Sequence, residues 1–304
     1  MRNDSLVISP YSRLTDNSPL LLFFLLAVDS LHFVFARLLL PHLPPTTSAM
    51  YVLAVATAEV TLFLLIWDEI RFDLLRRYIW YFLAIGFLVA ASTALNYTAV
   101  AYIDPGIASL LAKTTVLFSL GFGVVWLGDR LTLWQSVGAL VAIIGVFVIS
   151  FQPGDYLRVG SLLVVGSTLI YALHAVLVKR QSEKIRLAEF FLFRLLCTTA
   201  FLAIFAAGRQ ELLWPSAQTW LILLLVGTVD ITISRGLYYI ALRRLNLSVH
   251  AIILTLSPVM TVLWTVLLFG IVPTLQQSLG GLAVILGVLI VSVGKLRHTR
   301  SNQN

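Results

Sequence analysis

The sequence predicts an all-α integral membrane protein: ten transmembrane helices arranged as a 5+5 inverted repeat. Three observations predict it. Apolar runs of about 20 residues recur along the whole chain, the length a helix needs to cross the hydrocarbon core. Lys and Arg crowd into alternate connecting loops. A segment at the end of the first half returns, without a gap, 142 positions later. Composition agrees, since 59% of the 304 residues are hydrophobic and only 12% are charged. A soluble chain carries roughly 25% charged residues.

The runs fall at residues 19–39, 48–66, 78–100, 105–127, 132–151, 159–178, 188–207, 218–241, 248–270 and 276–294. Residues 1–18 form a polar N-terminal tail. The run after them, which includes AVDSLHFVFARLL, has Asp29 and His32 in it and no small-residue cleavage site, so a retained first span is expected and not a signal peptide. The five spans of residues 19–151 form the first half, those of 159–294 the second, and 295–304 a basic tail. The connecting loops are short, with no room for a nucleotide-binding or extramembrane catalytic domain. The single cysteine, Cys197, lies inside an apolar run, which rules out a disulfide framework.

Orientation follows from the Lys/Arg bias of short loops. Fifteen basic residues fall on one side, Arg71, Arg76, Arg77, Arg130, Arg243 and Arg244 among them, and only Arg158 and Arg209 on the other. Arg37, Lys113, Arg194 and Arg235 lie in or at the edge of spans. Ten spans then place both termini in the cytoplasm, with the cell (inner) membrane as the expected location. The net charge of +7 is spread over these loops and forms no nucleic-acid-binding face.

The repeat relates GDRLTLWQSVG, beginning at Gly128, to GIVPTLQQSLG, beginning at Gly270; eleven of the 23 residues from Gly128 to Ser150 recur identically. Each half has an odd number of spans, so equivalent helices cross in opposite directions. Inverted repeats of this kind surround a site near the bilayer midplane and suit alternating access. Gly138 and Gly145 are seven residues apart, as are Gly280 and Gly287, so each pair makes a smooth stripe for helix packing within the chain or at a homodimer seam. Pro258, inside LTLSPVMTVLW, frees the carbonyl near Leu254 and is a candidate hinge.

Together these residues resemble the drug/metabolite transporter superfamily with paired EamA-type domains. The resemblance rests on Ala94-Leu-Asn-Tyr-Thr98, Ala108-Ser-Leu-Leu111 and Gly128-Asp-Arg-Leu-Thr132 with Gln135, Gly138 and Gly145. In the second half it rests on Tyr239-Ile-Ala-Leu242, Leu256-Ser-Pro-Val259, Gly270, Gln277, Gly280 and Gly287. It implies ten helices and transport, and it leaves the substrate open. Two features depart from it: Asp129 is matched by Ile271 in the second half, and the first helix is unusually polar.

The chemistry must then come from polar groups inside the spans. Asp29, Glu59, Lys113 and Asp230 lie near span centres, where each ionised group costs roughly 2.5–3.5 kcal/mol. They must pair, become neutral or face a wet cavity. Lys113, on the inner-ring fourth span that the resemblance implies, is the leading candidate for a substrate carboxylate or for Asp29. Asp29 and His32, three apart on one helical face, are a candidate proton relay. Asp230 and Arg235 are expected to contact neighbouring helices, and Asn96, Tyr97, Tyr171, Ser257 and Trp264 to line the pathway. Glu59 is expected to be peripheral, Arg37 and Arg194 to snorkel to the interface, and His174 and His250 to be structural.

The expected function is a secondary transporter, an exporter, of a small metabolite, amino acid or drug-like molecule by alternating access. Its partners would be that substrate, the lipid bilayer and a coupling proton or other ion. No catalytic, metal or cofactor motif is present in the sequence. The alternative is an intramembrane enzyme or lipid-handling protein that uses Asp29 and His32 as an acid–base pair.

Overall fold

The computed structural model describes residues 18–67, 70–127, 132–152, 156–157, 159–181, 185–238 and 254–301. The first run is two helices, α1 (Ser18–Asp29) and α2 (His32–Leu39), followed by α3 (Pro45–Trp67), a short α4 (Phe72–Arg77) and α5 (Ile79–Ala99). The fourth run is again two helices, α6 (Pro105–Ala112) and α7 (Thr115–Leu127), and α8 (Leu133–Ser150) ends the first half. A two-residue antiparallel pair, β1 (Phe151–Gln152) with β2 (Tyr156–Leu157), leads into the second. There follow α9 (Val159–Gln181), α10 (Leu187–Gly208) and α11 (Ala217–Val226), which continues into a π-helix (Gly227–Ile233), then α12 (Ser257–Phe269) and α13 (Leu275–Ser301). Eight described helical runs are long and apolar enough to cross a membrane, with α6–α7 and α11 with its π-helical continuation each counted as one, and α12 is a shorter apolar helix. Asp129, Arg130, Arg243, Arg244 and His250 lie outside the described residues.

Local chemistry sets the helix ends. The Asp104 carboxylate accepts from Ile107 N at 2.9 Å, and Pro105 follows it in the first turn, where no amide hydrogen is needed. The repeated Thr-Leu-x-Gln frame is a capping box in both copies. Thr132 N donates to Gln135 Oε1 at 2.8 Å and Gln135 N to Thr132 Oγ1 at 3.3 Å; Thr274 and Gln277 repeat both bonds at the same distances. Gly270, at φ +66°, supplies the left-handed residue that ends α12. Gln276 at the start of α13 donates to the Val148 and Phe151 carbonyls at the end of α8, at 2.7 and 2.9 Å.

Outward faces are apolar: Leu62, Phe63, Leu65 and Ile66 of α3 all stand exposed, as a lipid-facing surface requires. The largest buried cluster runs from Leu39, Leu43 and Ala49 through Val100, Ile103 and Ile107 to Val284 and Val288. With no hydrophobic effect between helices in lipid, close backbone approach must hold the halves together. The glycines supply it. A Cβ on Gly138 would lie 2.7 Å from Gly287 O, and one on Gly145 would lie 2.7 Å from Gly280 O. Gly138 and Gly287 therefore face each other, as do Gly145 and Gly280, and the pseudo-two-fold exchanges the two pairs. The stripe lies between α8 and α13 of one chain.

Gly287→Leu is expected to wedge α8 from α13 and cost about 1–3 kcal/mol of stability, the usual range for overpacking. Gly121→Ala, where a Cβ meets nothing within 4 Å, is expected to leave the melting temperature unchanged. Thermal unfolding of the two purified variants in detergent checks the pair.

Candidate functional site

Three spans are broken inside the bundle. α1 ends at Asp29 and α2 begins at His32; Lys113 and Thr114 separate α6 from α7; Leu256 interrupts the ninth span just before α12. Thr255, the residue 142 positions after Lys113, stands at that last interruption, so both halves break at the equivalent place. Each break frees backbone groups that cannot be left unsatisfied in hydrocarbon. Local hydroxyls meet part of the demand: Ser30 Oγ donates to Ala27 O at 2.7 Å, Thr114 Oγ1 to Leu111 O and Thr115 Oγ1 to Ala112 O, both at 2.8 Å.

Contacts between the halves meet the rest. Pro258 lies in the first turn of α12 and cannot donate to Leu254 O, the acceptor four residues back. Lys113 Nζ takes that carbonyl at 2.8 Å and donates to Ser257 Oγ at 2.8 Å. Pro258 thus opens a half-helix instead of kinking a continuous one. From α12, Thr261 Oγ1 donates to Ser30 O at 2.8 Å and Trp264 Nε1 to Ser30 Oγ at 3.0 Å.

The breaks surround a cavity of about 270 Å³, lined by Asp29, His32, Asn96, Lys113, Tyr171, Arg235 and Ser257 among the residues singled out in the sequence. Asp230, Tyr97 and Trp264 stand behind its wall. Asp230 Oδ2 is 2.9 Å from His32 Nδ1, and the Tyr97 ring sits edge-on to His32 with centroids 5.8 Å apart. Asn96 Oδ1 accepts from the Ser167 hydroxyl.

Three expectations are corrected, and one is sharpened. His32 takes its carboxylate from Asp230 and not from Asp29, because the helix breaks between positions 29 and 32 and the shared face is lost. Lys113 makes no carboxylate contact within 4 Å among the described residues; its hydrogen bonds go to neutral oxygens. Glu59 is not among the residues that line the cavity; its two oxygens accept from Thr228 and Thr232 at 2.5 Å each and so anchor the π-helix that carries Asp230. Arg194 does not reach the interface but lines the cavity, with its guanidinium 5.4 Å from the Phe191 ring centroid.

Arg37 donates to Val100 O at 2.5 Å, capping the end of α5. His174 is buried, with neither ring nitrogen hydrogen-bonded among the described residues. Pocket residues not singled out from the sequence are mainly hydroxyls: Ser92, Thr93, Ser109, Thr168 and Thr198. The only signal for them is a Ser or Thr inside an apolar run, which is too common to single out a site.

The lysine and the proline are therefore expected to be energetically coupled. Pro258→Ala restores a backbone donor to Leu254 O, and should stabilise Lys113→Met more than it stabilises the wild-type chain. A double-mutant cycle on detergent unfolding is expected to give a coupling of about 1 kcal/mol, against less than 0.5 kcal/mol for uncoupled sites.

Comparison with known proteins accords with this geometry. The sequence profile of the EamA-like transporter family matches residues 17–151 and again residues 158–293. The uncharacterized transporter YdfC of Bacillus subtilis (strain 168) is 26% identical over 193 residues, 61% of this chain and 62% of that protein. An uncharacterized transporter of Haemophilus influenzae is 26% identical over 198 residues, 62% of this chain and 63% of that one. The aligned stretches thus span less than two thirds of the length of these two curated relatives. The uncharacterized transporter sll1164 of Synechocystis sp. is 21% identical over 252 residues, 78% of this chain and 72% of that one. A crystal structure of a protein 18% identical in sequence shares the fold, with a TM-score of 0.64 over 91% of this chain and 97% of that one.

Proposed function

The chain belongs to the EamA-like transporter family, and from that premise we propose that it is a secondary transporter that carries a small molecule through the central cavity by alternating access. It is a multi-pass membrane protein, and the cavity lies where broken helices of both halves meet. That meeting is the observation that carries the reading. Interrupted helices place backbone polar groups and charged side chains inside a bilayer only where they line a cavity. An inverted repeat makes inward-open and outward-open states close in energy, because each half can adopt the other's conformation.

Coupling to protons is the energy source the cavity supports best. No nucleotide-binding motif is present in the sequence. His32 faces the cavity and shares a hydrogen bond with Asp230, so this pair can gain or lose a proton at the wall as access switches. Glu59 positions the pair through the two threonines of the π-helix. Asp29 and Lys113 supply opposite charges on the same cavity and are the residues proposed to contact substrate. The loop bias supports cytoplasmic termini and an inner-membrane location. The intramembrane-enzyme alternative loses its acid–base pair, because His32 is hydrogen-bonded to Asp230.

Proteoliposomes given a pooled small-metabolite mixture are expected to accumulate at least one compound in a saturable manner, with mass spectrometry as the readout. Lys113→Met and Asp29→Asn should each lower that flux at least tenfold. Flux that rises linearly with concentration, or that neither variant alters, counts against the assignment. Imposing the pH gradient in either direction reads whether transport is outward, the expected sense.

Proton coupling has its own signature. Asp230→Asn is expected to abolish substrate-driven acidification, followed with an entrapped pH dye, while counterflow exchange of unlabelled for labelled substrate persists. Loss of both activities together in a variant that folds normally would contradict a coupling role.

A further inference from the structure

Arg194 is a charge in the cavity with no ion-pair partner among the described residues. It is the eighth residue of α10 and lines the same wall as Lys113, Asp29 and Tyr171. Its Nε is buried and has no hydrogen-bond partner among the described residues. Its guanidinium leans on the Phe191 ring, a contact that orients the group without neutralising it. A buried guanidinium donor is costly to leave unpaired, so a hydrogen-bonding partner at that position is favoured.

The carboxylates that could answer it are committed elsewhere. Glu189, on the same helix, accepts from Arg71 Nε at 3.0 Å and Arg71 Nη2 at 3.3 Å, and from Arg186 Nη2 at 2.7 Å. Asp230 holds His32. Asp29 remains, and it faces the cavity together with Lys113. One carboxylate against Lys113, Arg194 and Arg235 leaves the lining with positive charge in excess. The neighbouring buried group on α9, His174, has both ring nitrogens without a hydrogen-bond partner and brings no negative charge.

We propose that Arg194 is a substrate-binding residue, and that the cavity takes a small carboxylate whose charge pairs with its guanidinium. The inference rests on the transporter reading for the identity of the ligand as cargo, and on the cavity alone for its chemistry. A planar guanidinium matches a carboxylate through two parallel hydrogen bonds, a geometry that an ammonium cannot reproduce. An excess of positive charge in the lining asks for an anion. The volume of about 270 Å³ falls just below the ~300–1,000 Å³ usual for ligand pockets, so the molecule is small. Phe33, Leu53, Val89 and Leu195 give it an apolar wall, and the hydroxyls of Ser92 and Thr198 give polar points near the charge.

The test uses the full-length protein in phosphatidylcholine nanodiscs, titrated with acetate, hexanoate and benzoate, with benzamide as the neutral isostere of benzoate, and with inorganic phosphate. At least one monocarboxylate is expected to raise the melting temperature saturably, and benzamide and phosphate are not. Arg194→Gln should weaken that binding at least tenfold. Arg194→Lys, which keeps the charge and loses the fork, should fall between the two and covers the case in which the glutamine variant does not fold. A response to phosphate alone, no response to any carboxylate, or a response unchanged in both variants overturns the proposal. So does a benzoate shift lost when phosphatidylglycerol is added, which would assign the site to a lipid headgroup. The transporter reading fails separately. Arg194-dependent binding without saturable flux of any compound would sink transport and leave the site standing, whereas saturable flux of a neutral or cationic compound untouched by Arg194→Gln would do the reverse.

Discussion

A backbone carbonyl inside a bilayer must have a donor, and the donor for Leu254 is a lysine from the other half of the molecule. Pro258 removes the helical partner of that carbonyl, and Lys113 Nζ replaces it. The exchange satisfies two costly groups at once, an orphaned acceptor and an ammonium in hydrocarbon. It also fixes where the cavity can be. Lys113 is drawn to the second half, the fourth span is interrupted around it, and the matching break before α12 lies opposite. Thr261 and Trp264 tie the broken first span to the same half-helix through Ser30. The polar interior is therefore a consequence of interrupted helices satisfying one another, with the charged side chains serving as caps before they serve anything else.

Much of the scaffold was legible in one dimension. Spans of apolar residues, the Lys/Arg asymmetry and the repeat at residues 128–150 depend on length, sign and identity, which the chain displays directly. Pro258 announced its own break. The interruptions at Ser30–Leu31 and Lys113–Thr114 carry no proline or glycine at the break itself, so local sequence gives no warning, and only the tertiary partners of the freed groups make them affordable. The expected Asp29–His32 pair failed for that reason: face arithmetic presumes a continuous helix. Arg194 was misplaced for a different one. An arginine eight residues into a span has the same position in sequence whether it turns toward the headgroups or toward a cavity, and only the neighbours on α5 and α9 decide. The Thr132–Gln135 capping box was in plain view, since the spacing that made the repeat recognisable is also the spacing of the cap.

The second and eighth spans show how a scaffold can hold a reactive pair from a distance. Glu59 touches neither His32 nor the cavity lining, yet it fixes Thr228 and Thr232 on one side of the π-helix while Asp230 projects on the other. A π-helix is an uncommon way to arrange seven residues, and here Glu59 ties down two of its side chains. Glu59 thereby couples the orientation of Asp230 to the packing of α3, a helix that otherwise presents much of its surface to lipid.

The glycine contact between α8 and α13 has a mechanical consequence. Helices that meet through interlocked side chains behave like meshed gears, and turning one past the other requires every tooth to change rotamer. Where Gly138 meets Gly287 and Gly145 meets Gly280, backbone meets backbone and the teeth are few: the side chains of Ala142, Ile149, Val284 and Ile290 sit beside the glycines. Separation is opposed by the loss of close contact along the whole seam, and at each glycine the opposing helix leaves room for hydrogen and nothing larger. Such a seam keeps the two halves together along a single line of backbone contact.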